Sequence, residues 1–147
     1  MKNLITHKDG SVSIMTTVSD DINVLDEMDK LDPAYKETID FILKIDEEDI
    51  PSDRYFRDAW VHKDEKIHVD LDKSLLIHQN VLREIRRPKL EALDLEFTRA
   101  LESNDEQKKS EISIKKNELR DITVHPELLS AQTPEQIKNF RPAVLFD

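Results

Sequence analysis

Four side chains near the middle of the chain are of types that bind metal ions, namely His62, His68, Asp70 and His78. Neutral imidazole nitrogen and carboxylate oxygen suit zinc and similar ions. The first three could meet across a hairpin, with His78 one or two turns into the helix that follows. No compact motif such as His-Glu-x-x-His is present, so we predict solvated histidines and no bound metal or other cofactor. The alternative is a metal-dependent enzyme, which requires His62, His68 and Asp70 to converge on one point.

A run of four carboxylates, residues 46–49, could attract calcium or a basic protein. A calcium loop of the EF-hand type needs alternating oxygen ligands, a central glycine and a distal Glu, and this run has neither that glycine nor that spacing. Blocks of like charge usually stay in water, which predicts a solvated turn. The same residues are the strongest single element of an acidic docking patch.

The sequence contains few of the residue types and motifs that are typical of catalytic sites. The chain has one glycine and no cysteine in 147 residues, whereas loops that wrap phosphates need residues that tolerate positive φ. The composition therefore argues against a nucleotide-cradling loop and excludes disulfides and thiolate metal ligands. No serine lies in a Gly-x-Ser-x-Gly turn, and aromatic content is 5%. We predict a protein that is not an enzyme.

The one basic cluster contains Arg83, Arg86, Arg87 and Lys89. Arg83 and Arg87 are four residues apart, so they share one face of a helix, and nearby carboxylates can neutralise them. Our main interpretation is a salt-bridged helix surface. The alternative is an arginine that binds a carboxylate of another protein, because a planar guanidinium can bind in a bidentate manner.

The C-terminal end carries apolar side chains that cannot form a helix core of their own. Phe140, Leu145 and Phe146 lie around Arg141-Pro142. They either fold back onto the helices or insert into a neighbouring protein, and both possibilities stay open. The candidate partner-binding residues are Phe140, Arg141, Leu145, Phe146, Arg83 and Arg87.

An N-terminal region of short strands must position the candidate metal ligands His62 and His68. Asp9-Gly10 lies between apolar runs, which is the strongest short-range signal of a β-hairpin. Residues 41–45 favour a strand, and residues 56–62 and 66–70 predict a second hairpin in the same small sheet. Asp32-Pro33 predicts a short helix, with Asp as its N-cap and Pro at its first position.

From Leu71 to Val124 the apolar spacing changes to that of helices and predicts one long helix, a tight break and a second helix folded back on it. Pro88 predicts a kink or a new first turn. Ser103 to Glu106 fits a capping box at the start of the second helix, and Thr133-Pro134 opens one more short helix. The predicted fold class is α+β: short N-terminal β-hairpins with one or two short helices, then a long antiparallel helical hairpin and an extended C-terminal tail.

Charge is distributed unevenly along the chain. Residues 1–70 carry 18 acidic and 9 basic side chains, whereas residues 71–147 carry 14 and 13. Charge and periodicity both change near Asp70, which predicts a small acidic α+β region (1–70) and a helical hairpin with its tail (71–147). Phosphate contacts need clustered Lys and Arg, so we expect no nucleic-acid partner. No apolar run approaches the roughly 20 residues of a membrane span, and we expect a soluble cytosolic protein.

Part of the predicted hairpin resembles a known family. The pattern is carried by residues 83–94 (REIRRPKLEALD), 97–102 (FTRALE) and 116–122 (KNELRDI), followed by a Pro-rich tail. It is similar to patterns in small proteins of bacteriophage tail modules, and the closing Leu-Arg-Asp-Ile and tail resemble the phage tail assembly chaperone family over roughly the C-terminal half of the chain. The resemblance implies a non-enzymatic chaperone or virion component. Such a protein binds other phage tail or tail-fibre proteins in the host cytoplasm during assembly.

The rival interpretation is an acidic phage protein that mimics DNA and inhibits a host nuclease or defence protein. Its support is the net charge of −9 over residues 1–70, because a mimic must present carboxylates as a phosphate-like row on one face. An assembly protein instead needs an exposed apolar or self-complementary patch. The hairpin could close on itself or pair with another copy, so a homo-oligomer is compatible with the spacing.

Overall fold

A computed structural model of the chain describes residues 1–19 and 21–146. The predicted fold class is confirmed, because short antiparallel strands are followed by a long helix and a second helix folded back on it. The chain divides into two compact units, Met1–Lys73 and Ser74–Asp147. We call them the strand unit and the helical unit, and each is described by itself.

The strand unit is built on a three-stranded antiparallel sheet. Its strands are β1 (Lys2–His7), β2 (Val12–Met15) and β3 (Ile39–Ile45), in the order β2-β1-β3. The turn between β1 and β2 confirms the Asp9-Gly10 prediction, since Gly10 has a φ of 85°. The hydroxyl and the amide of Ser11 both donate to Oδ1 of Asp9, at 2.6 and 2.9 Å. These hydrogen bonds, the side-chain one first, lower the pKa of Asp9 because they stabilise its carboxylate.

Two short helices connect β2 to β3, namely α1 (Val24–Met28) and α2 (Pro33–Thr38). Oδ1 of Asp32 accepts a hydrogen bond from the amide of Ala34 at 2.7 Å, with Pro33 at the first helical position. This geometry confirms the predicted N-cap, which satisfies an amide that the helix itself leaves unpaired.

The second hairpin forms a sheet of its own, so the prediction of one shared sheet is wrong. Its strands are β4 (Trp60–Lys63) and β5 (Lys66–Val69). An isolated bridge joins Val61 of β4 to Ser11, the residue before β2. Both hairpins have an apolar face, and stacking these faces removes more apolar surface from water than edge-to-edge pairing does. The turn places Asp64 and Glu65 at positive φ, 51° and 63°.

The core of the strand unit lies between the two sheets. Leu4, Ile45, Trp60 and Ile67 pack together there and are each less than a tenth exposed. Leu4 is opposite Leu43 on β3 and opposite Ile14 on β2, so all three side chains share one face of the three-stranded sheet. This alternation in sequence therefore decides which face meets the second hairpin.

The helical hairpin consists of α3 (Leu71–Glu102) and α4 (Glu106–Asp121). Helix α3 continues through Pro88, although a proline cannot donate to the carbonyl four residues before it. The predicted capping box at Ser103 is wrong. Asp105 is the N-cap of α4 and accepts from the amide of Lys108 at 3.0 Å, whereas the Ser103 hydroxyl donates back to the Arg99 carbonyl. Asn104, at a φ of 55°, turns the chain and moves the helix start beyond Ser103.

The rest of the helical unit is the segment predicted as a tail. It forms α5 (Pro126–Leu129), α6 (Pro134–Asn139) and α7 (Ala143–Phe146). The hydroxyl of Thr133 accepts from the amide of Gln136 and caps α6, as the Thr-Pro pair predicts. Leu128, Ile137 and Leu145 are almost fully buried, so each short helix contributes one side chain to the core of this unit. None of the described helices is long and apolar enough to cross a membrane.

Candidate interaction surface

The two hairpin helices pack along a narrow apolar seam. Leu82 and Ala100 on α3, and Ile112 and Leu119 on α4, are 0 to 3% exposed. Contacts along the seam bring residue 79 near 123, 86 near 119 and 94 near 116, so the helices are antiparallel. A pair of helices buries only one stripe of each, and most of the remaining surface faces solvent.

Arg86 joins the two helices at the end of α4. Its guanidinium Nη1 donates to the carbonyls of Leu119 at 3.1 Å and Arg120 at 2.7 Å. These carbonyls belong to the last turn of α4, where backbone acceptors lack partners and the helix dipole attracts positive charge. Burial lowers the pKa of Arg86, and the neighbouring charges of Arg83 and Arg120 lower it further. Sequence reasoning placed Arg86 in the basic cluster and not in the seam, although it follows the buried Leu82 by four residues on the same helix face.

Lys116 bridges the middle of the hairpin. Its ammonium pairs with the carboxylate of Asp94 and lies 5.5 Å from the centre of the Phe97 ring. The Lys116 side chain is only 17% exposed, so its methylene groups cover the seam while its charge reaches the rim.

Arg83 and Arg87 lie on the outside of α3, and each is exposed. Nη1 of Arg83 donates to Oδ1 of Asn80 at 2.6 Å, and Nη2 of Arg87 donates to Oε1 of Glu84 at 2.6 Å. Arg87 and Glu84 are both more than 60% exposed. Arg87 therefore forms an ion pair of the kind that the salt-bridged interpretation describes, whereas Arg83 donates to a neutral amide. The binding of either arginine to a partner stays a prediction.

Several large apolar side chains lie on the outside of the hairpin. Leu95, Leu101 and Ile114 are 55, 53 and 57% exposed. Leu95 and Ile114 lie at a similar height along the hairpin. Asp94, which precedes Leu95, forms an ion pair between the helices with Lys116, two residues after Ile114. Single exposed leucines are common on soluble proteins, but this part of the hairpin combines three of them with a thin core.

The C-terminal candidates divide into two buried and two exposed residues. Phe140 and Leu145 are 7 and 3% exposed. They therefore fold back and pack inside the helical unit, which is the first of the two predicted possibilities. Nε2 of His78 lies 2.9 Å from the Phe140 carbonyl, and this nitrogen must carry the proton because a carbonyl only accepts. The ring of His125 lies against that of Phe140, with 5.3 Å between their centres.

Arg141 and Phe146 are the exposed pair. The guanidinium carbon of Arg141 lies 4.0 Å from the centre of the Phe146 ring, and Phe146 keeps 38% of its surface exposed. A guanidinium stacked on an aromatic ring keeps its N–H groups in the plane available to other acceptors. The pair therefore combines an apolar surface with hydrogen-bond donors.

A depression of about 490 Å³ lies beside this region, lined by residues from Glu127 to Phe140. Its walls include the side chains of Gln132, Gln136 and Asn139. Such groups donate and accept hydrogen bonds without carrying charge, so the depression suits polar groups of a partner chain.

The proposed metal ligands do not converge. In the β4–β5 ladder His62 is opposite Ile67 and His68 is opposite Val61, so the two imidazoles lie on opposite faces of the hairpin. Asp70 instead accepts from the amide of Lys73 at 2.8 Å at the start of α3. Over residues 1–19 and 21–146, no group of three or more His, Asp or Glu side chains could hold a metal ion.

The acidic run at 46–49 forms an exposed single-turn 3₁₀ helix, Glu47–Asp49, after Asp46. Glu47 of this run forms an ion pair with Lys2 at 3.1 Å. Elsewhere in the strand unit Lys30 pairs with Glu27 and Lys36 with Asp29. These lysines interrupt the negative surface, whereas a phosphate-like row needs consecutive unpaired carboxylates.

The functional candidates therefore concentrate on the outside of the hairpin and at the Arg141–Phe146 pair. Comparison with known proteins adds nothing to this geometry: no protein-family model, no curated protein and no solved structure matches the chain.

Proposed function

We propose that this chain is a non-enzymatic assembly protein of a phage tail, which binds other tail or tail-fibre subunits through the outside of its helical hairpin. The observation that carries the proposal is the set of half-exposed apolar side chains Leu95, Leu101 and Ile114. Apolar side chains that leave water on binding are the usual source of affinity between proteins. The resemblance of the hairpin residues to phage tail assembly chaperones supports phage tail proteins as the class of partner.

The Arg141–Phe146 pair is the second element of the proposed surface. Arginine and aromatic residues are enriched among those that dominate binding energy at interfaces. Arg83 and Arg87 complete the set, because a partner carboxylate can replace Asn80 or Glu84 as their acceptor. Phe140 and Leu145 support this surface from inside the unit and do not contact the partner.

The test is recovery of the tagged chain from phage-infected cells, followed by identification of the proteins that copurify. Two variants place a charge on the proposed surface, Leu95→Asp with Ile114→Asp, and Phe146→Asp. Val18→Asp is the matched control, because Val18 is 99% exposed and lies in the strand unit. We expect tail or fibre subunits with the wild type and the control, and their loss with both surface variants.

Two results would contradict the proposal. In the first, tail and fibre subunits are absent from the wild-type sample. In the second, a host nuclease or defence protein copurifies, is released by salt, and is unaffected by the apolar-to-Asp substitutions, which is the behaviour of an acidic inhibitor.

A further inference from the structure

We propose that two copies of this chain associate through the outer edge of β3 and join their three-stranded sheets into one antiparallel six-stranded sheet. Among the described residues, β3 pairs with β1 on one side and with no strand on the other. An unpaired edge presents N–H and C=O groups that another strand can bind. The inference is independent of the proposed function, because it concerns another surface and a second copy.

The contacts of Thr6 show which backbone groups of β3 face outward. The Thr6 hydroxyl donates to the Phe41 carbonyl at 3.0 Å, and the Phe41 amide donates to the same hydroxyl at 3.3 Å. The main chain of Phe41 therefore faces β1. Because this direction alternates along a strand, the N–H and C=O groups of Ile42 and Lys44 point away from β1 and towards the open edge.

Charge selects one register for the second copy. If the two-fold axis passes Ile42, each Ile42 is opposite its counterpart and Asp40 is opposite Lys44 of the other copy. Both Asp40 and Lys44 are exposed, so two opposite-charge pairs flank the axis, and such cross-strand pairs stabilise a sheet. An axis at Leu43 would instead place Asp40 opposite Asp46, and an axis at Lys44 would place two lysines together.

The face of β3 that packs against the second hairpin, which carries Phe41 and Leu43, supplies apolar contact in the same register. Phe41 is 45% exposed, which is unusual for a phenylalanine in a strand. In the proposed register Phe41 is opposite Leu43 of the second copy. Leu25, 66% exposed, lines a depression of about 350 Å³ together with Ile42 and Leu43 and adds apolar surface beside the edge.

Symmetry limits the association to a closed pair. A two-fold contact uses the same surface on both copies, so neither β3 edge stays open to a third copy. At the other edge of the sheet, Ser11, the residue before β2, is bridged to Val61 of β4.

The first test measures the mass of the intact chain by sedimentation over a range of concentrations, together with a cysteine cross-link. Because the chain has no cysteine, Ile42→Cys introduces a single thiol on the proposed axis. Opposed residues there are about 5.5 Å apart between Cα atoms, within disulfide range. We expect a dimer mass, and a disulfide-linked dimer from Ile42→Cys with diamide as oxidant but not from the exposed control Val18→Cys.

The second test reverses the charges and then restores their complementarity. Asp40→Lys and Lys44→Asp each place like charges together twice, and we expect each to raise the dimer Kd roughly ten- to thirty-fold. The combined variant Asp40→Lys with Lys44→Asp should recover the wild-type Kd. Circular dichroism of each variant verifies that the fold is unchanged.

Three results would overturn the inference. One is a monomer at every concentration up to about 1 mM. Another is a dimer whose Kd is unchanged by either single charge reversal. The third is equal cross-linking of Ile42→Cys and Val18→Cys.

Discussion

The strand unit and the helical unit are stabilised in different ways. In the strand unit, residues far apart in sequence meet in one apolar cluster, where Leu4 packs with Ile45, Trp60 and Ile67. In the helical unit the seam is narrow, and polar groups such as Arg86 and Lys116 connect the helices. A strand places alternate side chains on one face, whereas a two-helix hairpin must use its long polar side chains to cover what its few apolar residues leave open.

The largest expected effect comes from truncating one core leucine in each unit. Leu4→Ala and Leu82→Ala each remove a side chain that is 0% exposed, and each should lower the free energy of unfolding by about 2–5 kcal/mol. Trp60 is the one tryptophan, so its fluorescence follows the strand unit, while circular dichroism at 222 nm follows mainly the helices. We expect Leu4→Ala to shift the fluorescence transition and Leu82→Ala to shift the dichroism transition.

If each substitution shifted the fluorescence and dichroism transitions equally, the two units would not be stabilised separately. Val18→Ala is the control, since a residue that is 99% exposed should leave both transitions in place.

Arg86→Ala tests the polar contacts of the helical seam. The substitution removes two hydrogen bonds from a charged donor to the carbonyls of Leu119 and Arg120, so we expect a loss of roughly 1.5–3 kcal/mol in the free energy of unfolding. Arg87→Ala is the matched control on the same helix, because its ion pair is exposed and should contribute less than about 1 kcal/mol. Chemical denaturation followed at 222 nm measures both, and equal losses would show that Arg86 does not connect the helices.

The start of α4 gives a smaller effect. Asp105→Ala removes the side chain that accepts from the Lys108 amide and should cost about 1 kcal/mol. Ser103→Ala removes only a hydroxyl that donates back to α3 and should stay within about 0.5 kcal/mol. Thermal unfolding of the two variants compares them directly. If Ser103→Ala proves the more harmful, the capping-box prediction is restored.

The smallest expected effect is a pH dependence from His78, which is 3% exposed. Burial lowers its pKa below the ordinary value of 6.5, the positive charge of Arg141 lowers it further, and the hydrogen bond to Phe140 opposes both. The folded state therefore binds this proton less readily than the unfolded state. The stability of the helical unit should be complete above pH 6.5, decrease as the pH falls through 6.5, and level off below the folded pKa.

His78→Gln keeps a donor for the Phe140 carbonyl and removes the titration. Denaturation midpoints at a series of pH values should then lose part of their slope below pH 6.5. His68→Gln, at an exposed position of the strand unit, should keep the wild-type slope at 222 nm. A wild-type slope in His78→Gln would assign the pH dependence to other groups.

Features that depend on neighbours in sequence were predictable. Asp9-Gly10, Asp32-Pro33 and Thr133-Pro134 each start or turn an element through its own backbone chemistry, and the change of apolar period indicated the hairpin. Features that depend on tertiary contact were not. Only the folded hairpin shows that Arg86 reaches the end of α4, because nothing in residues 83–89 specifies which turn of the second helix lies opposite.

The errors have the same origin. Ser103 and Asp105 both precede Glu106 at spacings compatible with a cap, and the left-handed turn at Asn104 decides between them. The two hairpins carry similar alternation, and whether they extend one sheet or stack as two depends on how Trp60 and Leu4 pack. Of the partner-binding candidates, periodicity alone could not separate the buried Phe140 and Leu145 from the exposed Arg141 and Phe146.

The central position of β1 in its sheet also bears on the order of events during synthesis. β1 can pair with β2 as soon as the Asp9-Gly10 turn has left the ribosome, because that contact is local. Its other edge must wait for β3, whose residues are made later by several seconds at most, given elongation at about 5–20 residues per second. During that interval Leu4 and the open side of β1 are exposed in the nascent chain. We therefore expect early misassembly, or binding of a ribosome-bound chaperone, to involve residues 1–45 rather than the helical hairpin, which folds through local contacts.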